Sequence, residues 1–332
     1  MKRSGLARFF ASSSPALVLG VILCMSFNVQ AATDENEWDV LQKAAVAARA
    51  LSYQGIFICQ TGQQVKSVQI THLFDGKNEF ARNVLLDGSP REVLSQGGDL
   101  VIYNPKNEKI VIEKRRGQNM FPAVLPVNLD AVKENYSLRS GALERVAGRQ
   151  SQVLILEPKD GLRYSYRFWI DTEYGLLLKS VMFNSRDEIM ESIAFNQLAL
   201  LSSVELDWFK PKIDHNKNYE MEDEQVVIAD NGTPVDWVIK DLPAGYRKID
   251  QMTRMVNGKP YPVTHIIFSD GLASVSLFIE PALKGHKSKI LLRSVGNTSF
   301  YTSVNKGHLV TVVGEAPEAT IVQIANAVVF RK

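Results

Sequence analysis

Two groups of side chains in this 332-residue sequence are spaced for chemistry, and both are suited to holding a molecule rather than transforming one. Met120, Phe121, Val124 and Leu125 fall in an apolar stretch interrupted by Pro122 and Pro126. A methionine and an aromatic ring on a bent segment can form a soft lip over an apolar groove. Core filling is the other use of the same residues. Lys284, His286, Lys287, Lys289 and Arg293 put five potential cations within ten residues. That density fits an anionic or acidic partner, with a solvated loop as the alternative.

Reaction chemistry finds little footing. The sequence has no Gly-x-Ser-x-Gly elbow, no phosphate-binding Gly-x-x-x-x-Gly-Lys-Ser/Thr loop, no His-Glu-x-x-His and no Cys-x-x-Cys. The five histidines are scattered singly, and none is spaced as a metal pair. No metal site, catalytic group or cofactor is therefore expected. His72 shares a strand face with Val68 and Ile70 and reads as a satisfied core histidine. Asp171 and Glu173 fit a strand-end turn. Glu220, Glu222, Asp223 and Glu224 lack the glycine and spacing of a calcium loop.

These groups must be positioned by something, and the periodicity says by what. Trp38, Leu41, Ala45, Ala48 and Leu51 recur at helical spacing, with Asp34 or Asn36 available as a cap. Strands follow over roughly 150 residues, separated by turn pairs such as Asp75-Gly76 and Asp87-Gly88. Asn119–Pro126 cannot be a regular element because of its prolines. Asn128–Leu138 reads as a helix, with Leu129, Val132 and Tyr136 on one side. Several strands are apolar on both faces: Tyr164, Tyr166, Phe168 and Ile170 oppose a face that includes Trp169. A sheet with one wet face would alternate cleanly. The reading is α+β, mostly antiparallel β: a curved, half-open barrel with helices across its mouth. A filled two-layer core is the alternative. The groove of such a barrel is expected to use Phe57, Met120, Phe121, Leu125, Trp169 and Leu177.

Composition changes at Lys210, where a charged, aliphatic-poor stretch reads as a linker. The division is 32–209 for the large domain, 210–230 for the linker, and 231–332 for a smaller antiparallel β domain closed by a C-terminal helix. Pro317 stands near the start of that helix, and Ile321, Ile324, Ala325 and Val328 line its apolar stripe.

The first 31 residues read as a cleaved secretory signal. Lys2, Arg3 and Arg8 precede the uncharged run Pro15–Phe27, and Val29-Gln30-Ala31 supplies small side chains at the cleavage positions. The run is short for a membrane span, which needs about 20 apolar residues. Removing it leaves 35 basic against 36 acidic residues, a net charge of −1, unlike a nucleic-acid-binding domain. Cys59 then stands alone, so no internal disulfide can form. A periplasmic, soluble protein is expected.

Several segments, in order, resemble the RseB/MucB family: Leu51–Gln60 (LSYQGIFICQ), Leu86–Glu92 (LDGSPRE), Arg145–Arg149 (RVAGR), Pro158–Arg163 (PKDGLR) and Trp169–Leu178 (WIDTEYGLLL). Leu242–Tyr246 (LPAGY), Phe268–Glu280 (FSDGLASVSLFIE) and Val310–Glu315 (VTVVGE) continue the resemblance. It implies a large domain similar to the lipoprotein carriers LolA and LolB, with helices on the concave side of the sheet. It also implies a periplasmic negative regulator of the sigma-E envelope stress response. Such a protein binds the periplasmic region of an RseA/MucA-like anti-sigma factor and shields it from regulated proteolysis. It is released on sensing a lipid-like, lipoprotein or lipopolysaccharide ligand. On this reading the partner meets the small domain, where Lys284, His286, Lys287, Lys289 and Arg293 are the candidate contacts. A carrier or chaperone for acyl chains or lipoproteins is the alternative function. The sequence leaves open whether the protein is a monomer or a homo-oligomer.

Overall fold

Asn36 sets the start of the first helix. Its side chain accepts a hydrogen bond from the Trp38 amide at 3.2 Å, satisfying one of the otherwise unpaired first-turn N–H groups. Helix α1 then runs Glu37–Ala50 and buries Leu41, Ala44, Ala45 and Ala48. The computed structural model describes residues 36–96, 99–104, 109–114, 120–203, 205–210, 220–223, 226–227, 236–256, 258–283 and 290–331. The expected secretory signal lies outside the described residues.

The large sheet is two antiparallel meanders joined through their first and last strands. The first contains β1 (Tyr53–Thr61), β2 (Gln64–Phe74), β3 (Glu79–Leu85), β4 (Glu92–Gln96), β5 (Asp99–Asn104) and β6 (Lys109–Lys114). Helix α2 (Asp130–Asn135) leads into the second: β7 (Tyr136–Val146), β8 (Arg149–Pro158), β9 (Ser165–Asp171), β10 (Leu177–Phe183) and β11 (Ile189–Leu200). β1 and β11 pair antiparallel and close the two into one sheet. A last strand, β12 (Glu220–Asp223), adds to β6 in parallel.

That sheet has to be curved. α1 touches both β2 and β7, which lie six strand spacings apart in the sheet order. Flat, they would be about 29 Å from each other. β7 and β11 also approach one another across the three strands between them. The concave face holds α1, α2 and the bent segment around Phe121, which share one core with β1, β8, β9 and β10. The convex face is covered locally. Phe209, in the 3-10 turn Leu206–Phe209, packs on Phe80 at 5.7 Å between ring centroids. Arg82 lies against the Trp208 ring and donates to its carbonyl at 2.9 Å. The convex side of β3 thus has a covering of its own.

The small domain is a second sheet, ordered β13-β15-β16-β17-β20-β19-β18. Its strands are β13 (Val226–Val227), β15 (Arg247–Met255), β16 (Pro262–Ser269), β17 (Ser274–Pro281), β18 (Leu291–Val295), β19 (Thr298–Asn305) and β20 (His308–Gly314). β14 (Trp237–Ile239) pairs with β21 (Val328–Phe330) in a separate two-stranded ribbon. Helix α3 (Glu318–Asn326) starts directly after Pro317 and buries Ile321, Ile324 and Ala325 on the sheet.

Three expectations need correction. The helix expected over 128–138 ends at Asn135, and Tyr136 opens β7 instead. The charged run from Lys210 is not all linker, because Glu220–Asp223 extends the large sheet. Val328 belongs to β21, past the end of the helix.

Candidate functional site

Strand register decides which side chains meet inside the curve. Leu85, Val68, Phe57 and Phe195 form one row across four strands. The next row toward the small domain is Lys66, Cys59, Ile193, Ser180 and Phe168. The row after that is Thr61, Glu191, Met182 and Tyr166. The concave floor therefore passes from aromatic to mixed to acidic as it nears the second module.

A recess of about 440 Å³ opens over these rows, within the size range of small-ligand sites. Phe57, Met120 and Phe121, three of the six candidate groove residues, line it. Phe121 packs on Phe57 at 5.1 Å and on Phe195 at 5.0 Å between ring centroids. Three mutually edge-on or tilted rings make a rigid apolar end. Leu272 and Glu315 of the small domain complete the wall, so the recess belongs to both modules.

Three other expected groove residues lie elsewhere. Leu125 and Leu177 are buried in the core. Trp169 is on the opposite face of β9 from Phe168, where its indole N–H donates to Glu144 at 2.8 Å and the Lys179 ammonium lies over its ring at 4.2 Å. Apolar character alone could not separate these from the lining, because both faces of β9 are covered. Lys66, Arg91, Glu191 and Glu315 are polar lining residues that the sequence reading missed. Strand pairing between distant segments is the information it lacked.

The two modules meet along a polar seam. Arg163, just before β9, is buried and donates from Nε to the buried Asp270 carboxylate at 2.9 Å. It also bonds Asp160 and the Ala244 carbonyl. Burial works against the Arg163 charge, but Asp270 and Asp160 outweigh it and raise its pKa. The Thr320 hydroxyl donates to the Leu162 carbonyl at 2.5 Å. On the recess side, Asn297 in the β18–β19 turn donates to Glu191 Oε2 at 3.2 Å, and the Thr61 hydroxyl reaches the same oxygen at 3.4 Å. Burial first, and then Glu315, push the Glu191 carboxyl up to about 7. Burial also raises Glu315. The Cys59 thiol is pushed up by burial and by Glu191, which suits an unreactive lining group.

Arg293 sits mid-strand in β18 and is exposed. Lys284, His286, Lys287 and Lys289 lie outside the described residues. Among the described residues, no three His, Cys, Asp or Glu side chains gather as a metal site, and no helix is long and apolar enough to cross a membrane.

Comparison with known proteins places this architecture. Residues 36–213 match the MucB/RseB N-terminal domain and residues 231–329 the MucB/RseB C-terminal domain. The chain is 27% identical over 321 residues to the sigma factor AlgU regulatory protein MucB of Pseudomonas aeruginosa, covering 96% of this chain and 97% of that protein. It is 25% identical over 319 residues to the sigma-E factor regulatory protein RseB of Escherichia coli K12, covering 95% and 96%. A crystal structure of MucB in complex with MucA(peri) aligns with a TM-score of 0.71 at 25% identity, over 90% of this chain and all of that one. With both halves matched in order and the same fold recovered, this two-module chain belongs to the MucB/RseB family.

Proposed function

We propose that this protein is a periplasmic, non-enzymatic negative regulator of a sigma-E-type envelope stress response. After loss of its signal segment it binds the periplasmic region of an RseA/MucA-like anti-sigma factor and keeps that region from regulated proteolysis. Capture of a lipid-like or lipopolysaccharide ligand in the recess then releases the partner. The observation that carries this reading is the recess itself. It has an apolar end suited to acyl chains, and its walls come from both modules. A ligand that prefers one arrangement of the modules changes the surface they jointly offer. The linkage is reciprocal: the factor by which ligand weakens the partner is the factor by which partner weakens the ligand. The MucB relative crystallised with MucA(peri) supports the choice of partner. Arg293 and the neighbouring basic run remain the proposed small-domain contacts.

The test is a pull-down with an RseA-like periplasmic region, followed by its cleavage rate with the cognate stress protease. Saturating protein is expected to suppress cleavage, and an acylated ligand to restore it. Unchanged cleavage at saturation would remove the reading. The apolar end of the recess also suits a carrier of acyl chains or lipoproteins. Lipid extraction and mass spectrometry separate the two: a carrier co-purifies with lipid and protects no anti-sigma factor.

A further inference from the structure

The recess-side end of the seam differs from the rest. At Arg163 the crossing is an ion pair; on the recess side each module instead contributes an acid to the same wall, Glu191 from one and Glu315 from the other. Glu191 rises from the large sheet and Glu315 comes from the turn between β20 and α3. Both donors to Glu191, Thr61 and Asn297, reach Oε2. Among the described residues Oε1 receives no donor, and neither acid has a cationic ion-pair partner. The other titratable or charged groups around the recess are Cys59 from β1, Lys66 from β2, Tyr166 from β9 and Arg91 from the segment before β4, and Tyr164, just before β9, lies near Glu315 and is raised chiefly by burial. Lys66 stands in the adjacent row, beside Cys59. Tyr166 is held well above its ordinary pKa, chiefly by burial, and stays neutral. The neighbouring strand β10 contributes only Met182 to this row. Nothing on these elements neutralises the pair.

We infer that the seam is a proton-operated latch. A proton taken up by the Glu191–Glu315 pair keeps the β18–β19 turn docked on the large sheet, and its loss lets that edge of the small domain lift from the recess. The Asn297 and Thr61 bonds to Oε2 favour the ionised carboxyl, but burial and Glu315 outweigh them, so docking as a whole favours the proton on Glu191. Ionising both carboxyls puts two like charges on the wall of one recess with burial opposing each, which opening into water relieves. The direction follows from linkage. Glu191 binds its proton more tightly when docked than when solvated. Docking is therefore strongest in mild acid and weakens as pH rises from the ordinary carboxylate range through about 7, with no further change above it. This holds whatever occupies the recess.

The experiment is NMR on the full mature chain, following the Glu191 carboxyl carbon and the Asn297 side-chain amide between pH 5 and pH 8.5. In the wild type the carboxyl is expected to titrate near 7, with the Asn297 amide losing its hydrogen-bonded shift over the same range. Glu315→Gln is expected to lower the Glu191 midpoint. Glu191→Gln is expected to keep the Asn297 amide bonded at every pH. A Glu191 midpoint near 4.5 would overturn the proposal. So would an Asn297 amide whose pH response is the same in wild type and Glu191→Gln. The wild-type titration stands by itself if either variant folds poorly.

Discussion

Arg163 is the single side chain on which the seam most depends. It carries a full charge while about 1% exposed, and its partner Asp270 is fully buried. Removing one member of such a pair leaves an uncompensated charge and costs about 3–5 kcal/mol. Arg163→Ala is therefore expected to lower stability by that amount in urea denaturation and to split unfolding into two transitions. A loss below about 1 kcal/mol would mean the pair is solvated in solution. The rings at the apolar end act differently. Phe121→Ala removes two ring contacts from the recess and is expected to weaken binding of a fluorescent acyl probe by up to about tenfold. Trp169→Ala is expected to leave probe binding unchanged, since its indole is on the other face of β9. Equal effects of the two substitutions would rule out the recess as the proposed ligand site. Phe57, Met120 and Phe121 were legible as lining because a strand residue and a proline-broken segment had an apolar reason to meet. Glu191 and Glu315 were not, because their significance arises only where the two sheets come together.

At the scale of elements, β1 shows how tightly the curved sheet is built. Gly55 stands where β1 crosses β11, and a Cβ there would lie 2.5 Å from the Gln197 carbonyl and 2.8 Å from the Phe195 ring. Phe195 in turn contacts Phe57 and Phe121. Gly55→Ala is expected to destabilise by about 1–3 kcal/mol through overpacking and to shift the aromatic end of the recess. Thermal unfolding with the same acyl probe checks both; an unchanged melting temperature would show that β1 and β11 can separate locally. Most elements were readable from sequence. The run of strands after α1 and the helix after Pro317 stand where the sequence places them, because buried faces impose regular periods on their residues. β7 was missed for a physical reason. It is an edge strand buried mainly at its two ends, so its sequence has no apolar alternation to read, and Tyr136 was drawn into the preceding helical pattern. β12 was hidden likewise, since a charged strand added to an edge looks like linker.

At the scale of the whole molecule, the two sheets are joined by covalent chain at one place and by side chains at others. β12 closes one edge of the large sheet at Asp223, and β13 opens one edge of the small sheet at Val226, with two residues between them. The turn carrying Asn297 belongs to the opposite edge of the small sheet, six strand spacings away. The sequence showed that there were two modules but not this stitching, because a parallel pair between β6 and β12 joins segments more than a hundred residues apart. The consequence is mechanical. Six spacings make an arm of about 29 Å. Pivoting the small sheet by roughly 10° about the stitched edge swings the far edge through about 5 Å over that length. A hydrogen bond at the tip breaks with far less travel than that, so modest torsion at the spine is amplified into a wide gape at the rim.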